Sequence, residues 1–412
     1  MRILVLGLNY APEPIGIAVY TSGLCEELVR YGHEVHVVAA QPYYPGWRVL
    51  PGFHGWRTTV EQGVAITRCP LYVPAVPTGL KRLLHHASFA AAALLPMLRE
   101  VRRFRPDIVL TVAPSLASAP LAVVAAKLAG ARSWLHIQDF EVEAAFATGL
   151  LNAKSRLARM ARRFEHGVVR MFDRVSSISP EMCARLHGFG IAEDRIIEFR
   201  NWADIDKVRP LSGPSAFRTA WPVGDRRVAL YAGNIANKQG IDIVIDAARL
   251  LQHRRDIVFV ICGQGPNRAR LEEVAVRLDN VILRDLQPLD RLCDLLSLAT
   301  VHLLPQKGDA ADLVLPSKLT NMLASGRPVI ATAAAGTGLA RELEGCGIVV
   351  PPEDATAMAA AIERIVDTPS LQVELGLAAR HRAEAVWSKT AILRGLDAAL
   401  QRLAAVRPPD AT

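Results

Sequence analysis

The sequence predicts an α/β protein with two facing Rossmann-like domains and a cleft between them. Short apolar runs typical of buried parallel strands alternate with helix-like segments along nearly the whole chain. The alternation falls into two series, and each series has the strand–loop–helix order of a doubly wound domain. The chain has 412 residues, which suits two or three domains of roughly 150 residues each.

Composition narrows the class of protein. Apolar residues make up 51% of the chain and charged residues 21%, which predicts a large core and excludes a disordered protein. The six cysteines include no Cys-x-x-Cys pair, so we expect reduced thiols in the cytoplasm. The apolar run at residues 3–8 is too short for a signal peptide. No run reaches the length of about 18 apolar residues that a membrane span needs.

The first strand is predicted at residues 3–8 and leads through a loop into a helix at 19–31, which Gly32 ends. The loop lacks the Gly-x-Gly-x-x-Gly fingerprint, which counts against a nicotinamide or flavin enzyme. Gly16, beside the helix start, could let a ligand phosphate approach the backbone closely. A plain turn glycine explains it equally well.

Polar side chains follow a later strand of the first series. The apolar runs predict further strands at 35–39, 65–68, 107–112, 133–137 and 174–178. Directly after the strand at 133–137 come Gln138 and Asp139, a position that suits acid–base or hydroxyl-binding work. His136 shares a strand face with Gln138. A lone strand histidine is more often a core residue, so Asp139 is the stronger candidate.

Two segments hold the basic charge of a chain whose net charge is +8. Residues 78–105 carry six cations against one acid, and residues 151–174 carry seven against two. In the second segment Leu157, Met160 and Phe164 recur at helical spacing beside arginines, a pattern that suits an anionic membrane surface. A domain helix with a solvated basic face is equally consistent. Nucleic acid is disfavoured, because neither segment interleaves aromatic side chains with its cations.

Two loops have alternative interpretations. The loop at 42–56 carries five aromatic side chains, which suits sugar or lipid faces but also a small local core. Residues 201–214, rich in proline, serine and glycine, are interpreted as a linker. Asp204 and Asp206 there could hold a metal bound to a diphosphate, but such a short motif is weak support, and no metal site is predicted.

The second series predicts strands at 228–231, 257–262, 281–283, 301–304, 328–331 and 347–350. Gly233 and Asn234 follow its first strand, in a loop that reaches Lys238, and Gly263 follows the second strand. Glycine allows close approach of a ligand, and lysine offers it a point charge. Because the carboxyl ends of parallel strands share one edge of the sheet, these loops together predict a site for a nucleoside diphosphate.

The segment 312–332 predicts a loop, a short helix with Ser317 as its N-cap, a stop at Gly326 and a buried strand. The amides at residues 317–320 would then point out of a helix N-terminus beside Lys318, as in a phosphate site. An ordinary β-loop-α joint with a surface lysine fits the spacing equally well.

Several of these motifs resemble those of a known enzyme family. The segments LNYAPEPIGIAVYT, HIQDFEVEAAF, YAGNIANKQG and DLVLPSKLTN, with ASGRPVIAT further on, are similar to retaining glycosyltransferases of the GT-B fold, family 4. Within that family they look like the colanic-acid-type fucosyltransferases, and the likeness covers nearly the whole chain. By position the resemblance implies contacts to the donor diphosphate from Gly233, Asn234, Lys238, Ser317, Lys318 and Leu319.

The sequence departs from the family pattern at three places. The second glutamate of the usual Glu-x₇-Glu motif falls at Asn321, which can still bond a hydroxyl, and the acid nearest to the first is Asp312. The usual Lys-Gly appears as Gln239 followed by Gly240, with Lys238 one place early. The usual His-Asp appears as Gln138 and Asp139. These departures leave the donor contacts open.

The resemblance implies three regions: an acceptor-binding domain at 1–205, a nucleotide-sugar-binding domain at 206–385 and a C-terminal helix at 386–412 that packs back on the first domain. It implies a hexosyltransferase that takes a sugar, with fucose as the candidate, from a GDP- or UDP-linked donor without metal or other cofactor. The expected acceptor is a lipid-diphosphate-linked saccharide, reached from the cytoplasmic face of an anionic plasma membrane. Asp139, with Gln138 and His136, is the predicted catalytic group, and Gly16 would lie against the diphosphate.

Two alternatives remain open from the sequence. A sugar-nucleotide 2-epimerase shares the GT-B architecture but acts on one substrate without an acceptor. A non-catalytic binding protein of a membrane polysaccharide assembly would use the same pocket without chemistry.

Overall fold

The computed structural model describes residues 1–14, 16–142, 155–235, 239–307 and 315–405, with Ser317 described by its backbone alone. The chain forms two compact units, one of Met1–Arg200 with Leu393–Thr412 and one of Asn201–Ile392. The first division falls slightly before the predicted boundary at 205. In the last helix Asp397 lies 2.6 Å from His33 Nε2, a contact within the first unit.

The first unit contains an eight-stranded sheet in the order β3-β4-β2-β1-β5-β6-β7-β8. Its strands are β1 (Arg2–Gly7), β2 (Glu34–Ala40), β3 (Arg57–Glu61), β4 (Val64–Cys69), β5 (Ile108–Ala113), β6 (Arg132–Ile137), β7 (Arg174–Ser177) and β8 (Ile196–Glu198). Among the described strands of this sheet, the β3–β4 pair is antiparallel and the other pairs are parallel. The central strands are buried along nearly their whole length, as parallel strands covered by helices on both faces are.

The helices described in the first unit are α1 (Ile17–Arg30), α2 (Gly79–Arg103), α3 (Ala119–Ala129), α4 (Arg156–Arg170) and α5 (Pro180–Gly188). Gly32 has φ 86° and follows the end of α1, as the sequence predicts. The edge strands β3 and β8 were not predicted. Both are short, and no residue of either is buried, so neither carries the apolar run by which a strand is found.

The second unit contains a six-stranded parallel sheet in the order β11-β10-β9-β12-β13-β14. Its strands are β9 (Arg227–Ala232), β10 (Ile257–Cys262), β11 (Val281–Arg284), β12 (Val301–Leu304), β13 (Val329–Thr332) and β14 (Gly347–Val350). All six predicted strands are confirmed. The order in which successive strands are added to the sheet changes direction between β9 and β12. Parallel α/β sheets bind ligands outside the carboxyl ends of the strands at such a point.

The remaining helices described are α6 (Phe217–Ala220), α7 (Asp242–Leu250), α8 (Arg268–Ala275), α9 (Leu292–Ser297), α10 (Ser317–Ala324), α11 (Gly338–Glu342), α12 (Ala355–Asp367), α13 (Pro369–Val386) and α14 (Lys389–Ala405). Three-residue 3₁₀ turns lie at Glu193–Arg195 and Leu289–Arg291. None of the helices in the described ranges is long and apolar enough to cross a membrane.

The segment predicted to be a linker is packed onto the second unit. Ala203 and Val208 are buried in its core, and Arg380 donates hydrogen bonds to the carbonyls of Val208 and Ile205, at 2.9 and 3.2 Å. Asp204 pairs with Lys207 at 3.0 Å. The linker interpretation is therefore wrong, because apolar anchors hold the proline-rich stretch against α13. Among the described residues no three His, Cys, Asp or Glu side chains are placed to hold a metal ion.

Candidate active site

Two glycine loops interlock at the carboxyl edge of the second sheet. A Cβ added to Gly263 would lie 1.9 Å from the carbonyl oxygen of Gly233, so a side chain cannot fit there. The Gly233 amide donates to the Cys262 carbonyl at 2.9 Å, and the Ile235 amide donates to the Gln264 carbonyl at 2.8 Å. The loops after β9 and β10 therefore form one rigid ledge whose backbone a ligand can approach.

Lys318, in the first turn of α10, reaches across this ledge. Its Nζ donates to the Tyr231 hydroxyl at 3.0 Å and lies 4.4 Å from the centre of the Tyr231 ring. Tyr231 is fully buried and donates in turn to the Asn234 carbonyl. Burial raises the pKa of Tyr231 far above its usual value, so the phenol stays neutral. A Cβ added to Gly233 would lie 2.6 Å from Nζ. The ammonium group is thus held directly over the ledge.

The start of α10 differs from the prediction. The helix begins at Ser317 itself, with Pro316 in the N-cap position, so Ser317 is not the cap. The Leu319 amide donates to the Pro316 carbonyl at 2.9 Å, and the Leu319 side chain is buried in the core. Leu319 is therefore not a free amide donor, which corrects its place among the donor-binding residues. Gly326 has φ 66° and ends the helix as predicted.

The other predicted donor residues lie at or near the same edge. Asn321 is half-buried on α10, one turn after Lys318 and so on the same helix face. Gln239 Oε1 is buried, and within the described ranges it has no hydrogen-bond partner. The structure brings together the ledge residues Gly233, Asn234 and Gly263 with Lys318. Lys238 and Asp312 lie outside the described residues.

The loop after β1 is organised by a buried carboxylate. Glu13 Oε1 accepts the amides of Tyr43 and Tyr44 at 2.8 and 2.9 Å, and Oε2 accepts from Asn9 Nδ2 at 2.9 Å. Burial raises the pKa of Glu13, while these bonds act against the rise. Gly16, exposed with φ 73°, forms the N-cap of α1. Glu13 was missed in the sequence, where its one signal is an acid between two prolines after a buried strand.

The residues after β6 divide into an exposed and a buried set. Asp139 is exposed. Gln138 is 7% exposed, and its backbone N–H donates to the Ala113 carbonyl at 3.3 Å. His136 is buried inside the sheet with Nδ1 3.0 Å from Ser176 Oγ, and burial lowers its pKa to about 3. A neutral imidazole in the core does not touch a substrate, so His136 is a core residue and its place among the catalytic residues is corrected.

Two carboxylates hold the chain around Asp139. Glu141 accepts the amides of Ser115 and Leu116. Glu165, on α4, accepts from the Val142 amide, and burial, with the charges of Glu141 and Asp139, raises its pKa to about 7. The segment that carries Asp139 is thus tied to α4. No sequence pattern predicts this contact, because an acid among arginines on a helix is normally exposed.

Comparisons with known proteins identify the family of this chain. Residues 16–202 match the Glycosyl transferase 4-like domain, and residues 226–368 match the Glycosyl transferases group 1 domain. The chain is 41% identical over 405 residues to WcaI of Escherichia coli K12, across 96% of this chain and 98% of WcaI. That protein's name assigns it provisionally as a colanic acid biosynthesis glycosyl transferase. The chain therefore belongs to the glycosyltransferases, as the resemblance implies.

Solved structures support the same fold. Sucrose-phosphate synthase of Thermosynechococcus elongatus is similar with a TM-score of 0.76 at 18% identity, over 98% of this chain and 100% of that one. HepE of Anabaena, in complex with UDP, is similar with a TM-score of 0.71 at 16% identity, over the same shares. The GT-B fold is thus confirmed.

Proposed function

We propose that this enzyme is a retaining hexosyltransferase that moves a sugar from a nucleoside diphosphate to a lipid-diphosphate-linked saccharide, in the synthesis of an exopolysaccharide. The name of WcaI, similar along its whole length, supports a pathway of the colanic acid type. Fucose is the candidate sugar of this proposal. The donor is GDP- or UDP-linked. HepE, which shares the fold, has been solved with UDP and with UDP-glucose, which supports a nucleotide-sugar as the donor.

The observation that carries the proposal is the position of Lys318 over the Gly233 ledge. Departure of a nucleoside diphosphate leaves negative charge on phosphate oxygens, and a fixed cation beside an open backbone lowers the energy of that charge. Tyr231 holds the ammonium at 3.0 Å, so little reorganisation is needed when the charge develops. In this proposal Lys318 and the N-terminus of α10 supply the positive charge, and no metal ion is invoked.

The reaction breaks the bond between the anomeric carbon and the diphosphate oxygen and forms a bond from the acceptor oxygen on the same face of the ring. The departing phosphate oxygen takes the proton of the acceptor hydroxyl, which conserves charge, and the attack on the same face retains the configuration of the anomeric carbon. Asp139, exposed at the end of β6, orients the acceptor hydroxyl or the donor sugar, with Gln138 beside it. The Glu141 carboxylate accepts two backbone amides and Glu165 is buried, so we assign neither as a nucleophile.

A thermal-shift panel over GDP, UDP, ADP and dTDP tests donor binding. A ligand present at 100 times its Kd stabilises the native state by about 2.7 kcal/mol. We expect one base to stand out, and Lys318→Ala to remove most of its shift, while Lys127→Ala, an exposed lysine of the first unit, leaves it unchanged. Equal shifts in wild type and Lys318→Ala would contradict the assignment of Lys318.

Product analysis tests the reaction itself. Incubation with the donor and a membrane-lipid acceptor extract should yield a product whose anomeric configuration, read by NMR, matches that of the donor. An epimerised nucleotide-sugar formed without any acceptor would instead favour a 2-epimerase.

The proposal includes attachment to an anionic membrane surface through α4. Leu157, Met160 and Phe164 are 58, 65 and 48% exposed, although apolar residues at helical spacing are normally packed inward. Arg156, Arg159 and Arg163 are exposed on the same helix. Exposed apolar side chains interspersed with arginines suit the boundary between anionic head groups and acyl chains. We therefore place the enzyme on the cytoplasmic face of the plasma membrane.

Flotation with liposomes tests this attachment. The wild type should float with vesicles that contain anionic lipid, and Leu157→Ser with Phe164→Ser should reduce the floating fraction. Leu377→Ser is the matched control, because Leu377 is 68% exposed on α13 of the other unit. Equal flotation with anionic and neutral vesicles would exclude the electrostatic part of the attachment.

A further inference from the structure

We infer that the first unit carries a subsite for an anionic group, a carboxylate or a phosphate, in a cavity built around Arg68. The inference rests on the proposed function in one respect: we take the group to be part of the acceptor, since the cavity belongs to the first unit. Its chemistry follows from the side chains alone.

The cavity has a volume of about 280 Å³ and lies at the carboxyl ends of β2 and β4. Its wall includes the loop at residues 51–55 and is completed by Gln41, Arg57, Thr59, Glu61 and Arg68. This volume lies just below the range of about 300–1,000 Å³ for small-molecule pockets, so it suits one monosaccharide or one phosphate group. The Arg68 guanidinium also donates to the Ala11 carbonyl, which places the cavity beside the loop that contains Glu13 and Gly16.

Arg68 is a buried cation whose hydrogen-bonding capacity is only partly used. It is 2% exposed, and its Nη2 meets the Ala11 carbonyl and Glu61 Oε2, the latter at 3.4 Å. Its Nε and Nη1 are buried, and within the described ranges they have no acceptor. Burial lowers the pKa of Arg68, but a guanidinium keeps its proton in proteins. Buried charged donors without acceptors are costly, so an anion that accepts from them gains binding energy.

The rest of the wall fits a charged ligand that carries a ring or an apolar face. Arg57 is exposed at the rim, and Glu61 is the one acid among the lining residues, so the two arginines leave a positive excess. The Phe53 ring lies 5.2 Å from the Arg68 guanidinium carbon and offers a flat apolar surface. Gln41 Nε2 donates to the Gly55 carbonyl at 2.9 Å and holds the loop in place. A uronate-type sugar or a phosphate matches this combination. A neutral sugar would leave the arginine N–H donors without a charged acceptor.

Binding of simple probes tests the subsite without any requirement for transferase activity. Ligand-observed NMR on the full chain would compare D-glucuronate with D-glucose, and inorganic phosphate would compete at constant ionic strength. We expect glucuronate to bind at least 10-fold more tightly than glucose and phosphate to displace it. If phosphate binds more tightly than glucuronate, the group recognised is a phosphate; the reverse order identifies a carboxylate on a sugar.

Three variants locate the binding. Arg68→Gln should abolish glucuronate binding, and Arg57→Gln should weaken it about 5-fold, while Arg103→Gln, exposed at the end of α2, should leave it unchanged. If Arg68→Gln does not fold, as judged by circular dichroism, the exposed Arg57 decides the test. The inference would be overturned by equal affinity for glucose and glucuronate or by no binding of either anion. It would also be overturned if Arg68→Gln and Arg57→Gln both bound glucuronate as tightly as the wild type. Nucleoside diphosphate binding, measured on the same samples, reports separately on the proposed function.

Discussion

Replacement of Gly233 by alanine tests whether Lys318 and the glycine ledge act as one diphosphate site. The added Cβ would lie 2.6 Å from Lys318 Nζ, 2.7 Å from Cε and 3.1 Å from Cδ. These atoms belong to the far end of a flexible side chain, so the lysine can swing away instead of blocking folding. The methyl group therefore moves the ammonium from its place over the ledge and occupies the space where a phosphate would approach.

The size of the effect follows from these contacts. Nζ loses a hydrogen bond from a charged donor to Tyr231, worth about 1.5–3 kcal/mol, and part of a cation–π contact worth about 0.5–1 kcal/mol. Gly233 also has φ 143°, a region that side chains avoid at a cost of about 1–3 kcal/mol. The variant should be less stable than the wild type, and it should bind the diphosphate about 10- to 100-fold more weakly, which corresponds to about 1.4–2.8 kcal/mol.

Isothermal titration with the nucleoside diphosphate that gives the largest thermal shift would measure this loss. Gly345→Ala is the matched control, since Gly345 has φ 74° and no atom within 4 Å of an added Cβ. It carries backbone strain without a contact to Lys318. If Gly233→Ala binds the diphosphate as tightly as Gly345→Ala does, the ledge and the lysine do not form a common site.

Three further outcomes are expected. Asn321→Ala should weaken donor binding in titrations while Asn321→Glu retains it, because either a carboxylate or an amide at this position of α10 can bond a ribose hydroxyl. Gly263→Ala should lower stability in urea by more than about 3 kcal/mol, because the new Cβ meets the backbone of Gly233 at 1.9 Å. Glu165, with its pKa raised to about 7, keeps a proton in the native state that the unfolded chain loses near pH 4.5, so its own contribution to stability should fall as pH rises through this window by about 3 kcal/mol. Buried neutral histidines such as His136 act in the opposite direction, so the measurement is the free energy of unfolding of Glu165→Gln relative to the wild type, which should increase between pH 5 and pH 8.

Prediction from the sequence succeeded where burial alone determines structure. The strands of the second sheet are short apolar runs, so composition identifies them, and Gly326 ends its helix because the left-handed conformation there favours glycine. Prediction failed where tertiary contacts decide which residues are buried. The stretch at 201–214 has the composition of a linker, yet Ala203 and Val208 anchor it in a core that no local pattern reveals. In α4 the spacing left open which face is buried, and only the packing shows that the helix buries Glu165 and leaves Phe164 exposed.

The site shows the same division between local and tertiary information. Sequence spacing predicted a phosphate site made mainly of helix amides, with Lys318 as an addition. In the structure the Leu319 amide donates to the Pro316 carbonyl, while Tyr231 holds Lys318. The site that we propose therefore depends more on the lysine than on the helix amides. Tyr231 could not be identified as a site residue from the sequence, since an aromatic residue in the apolar run of β9 is typical of a core. Its buried ring and neutral hydroxyl nevertheless fix the ammonium over the ledge, so this core residue fixes the geometry of the cation that we assign to the leaving diphosphate.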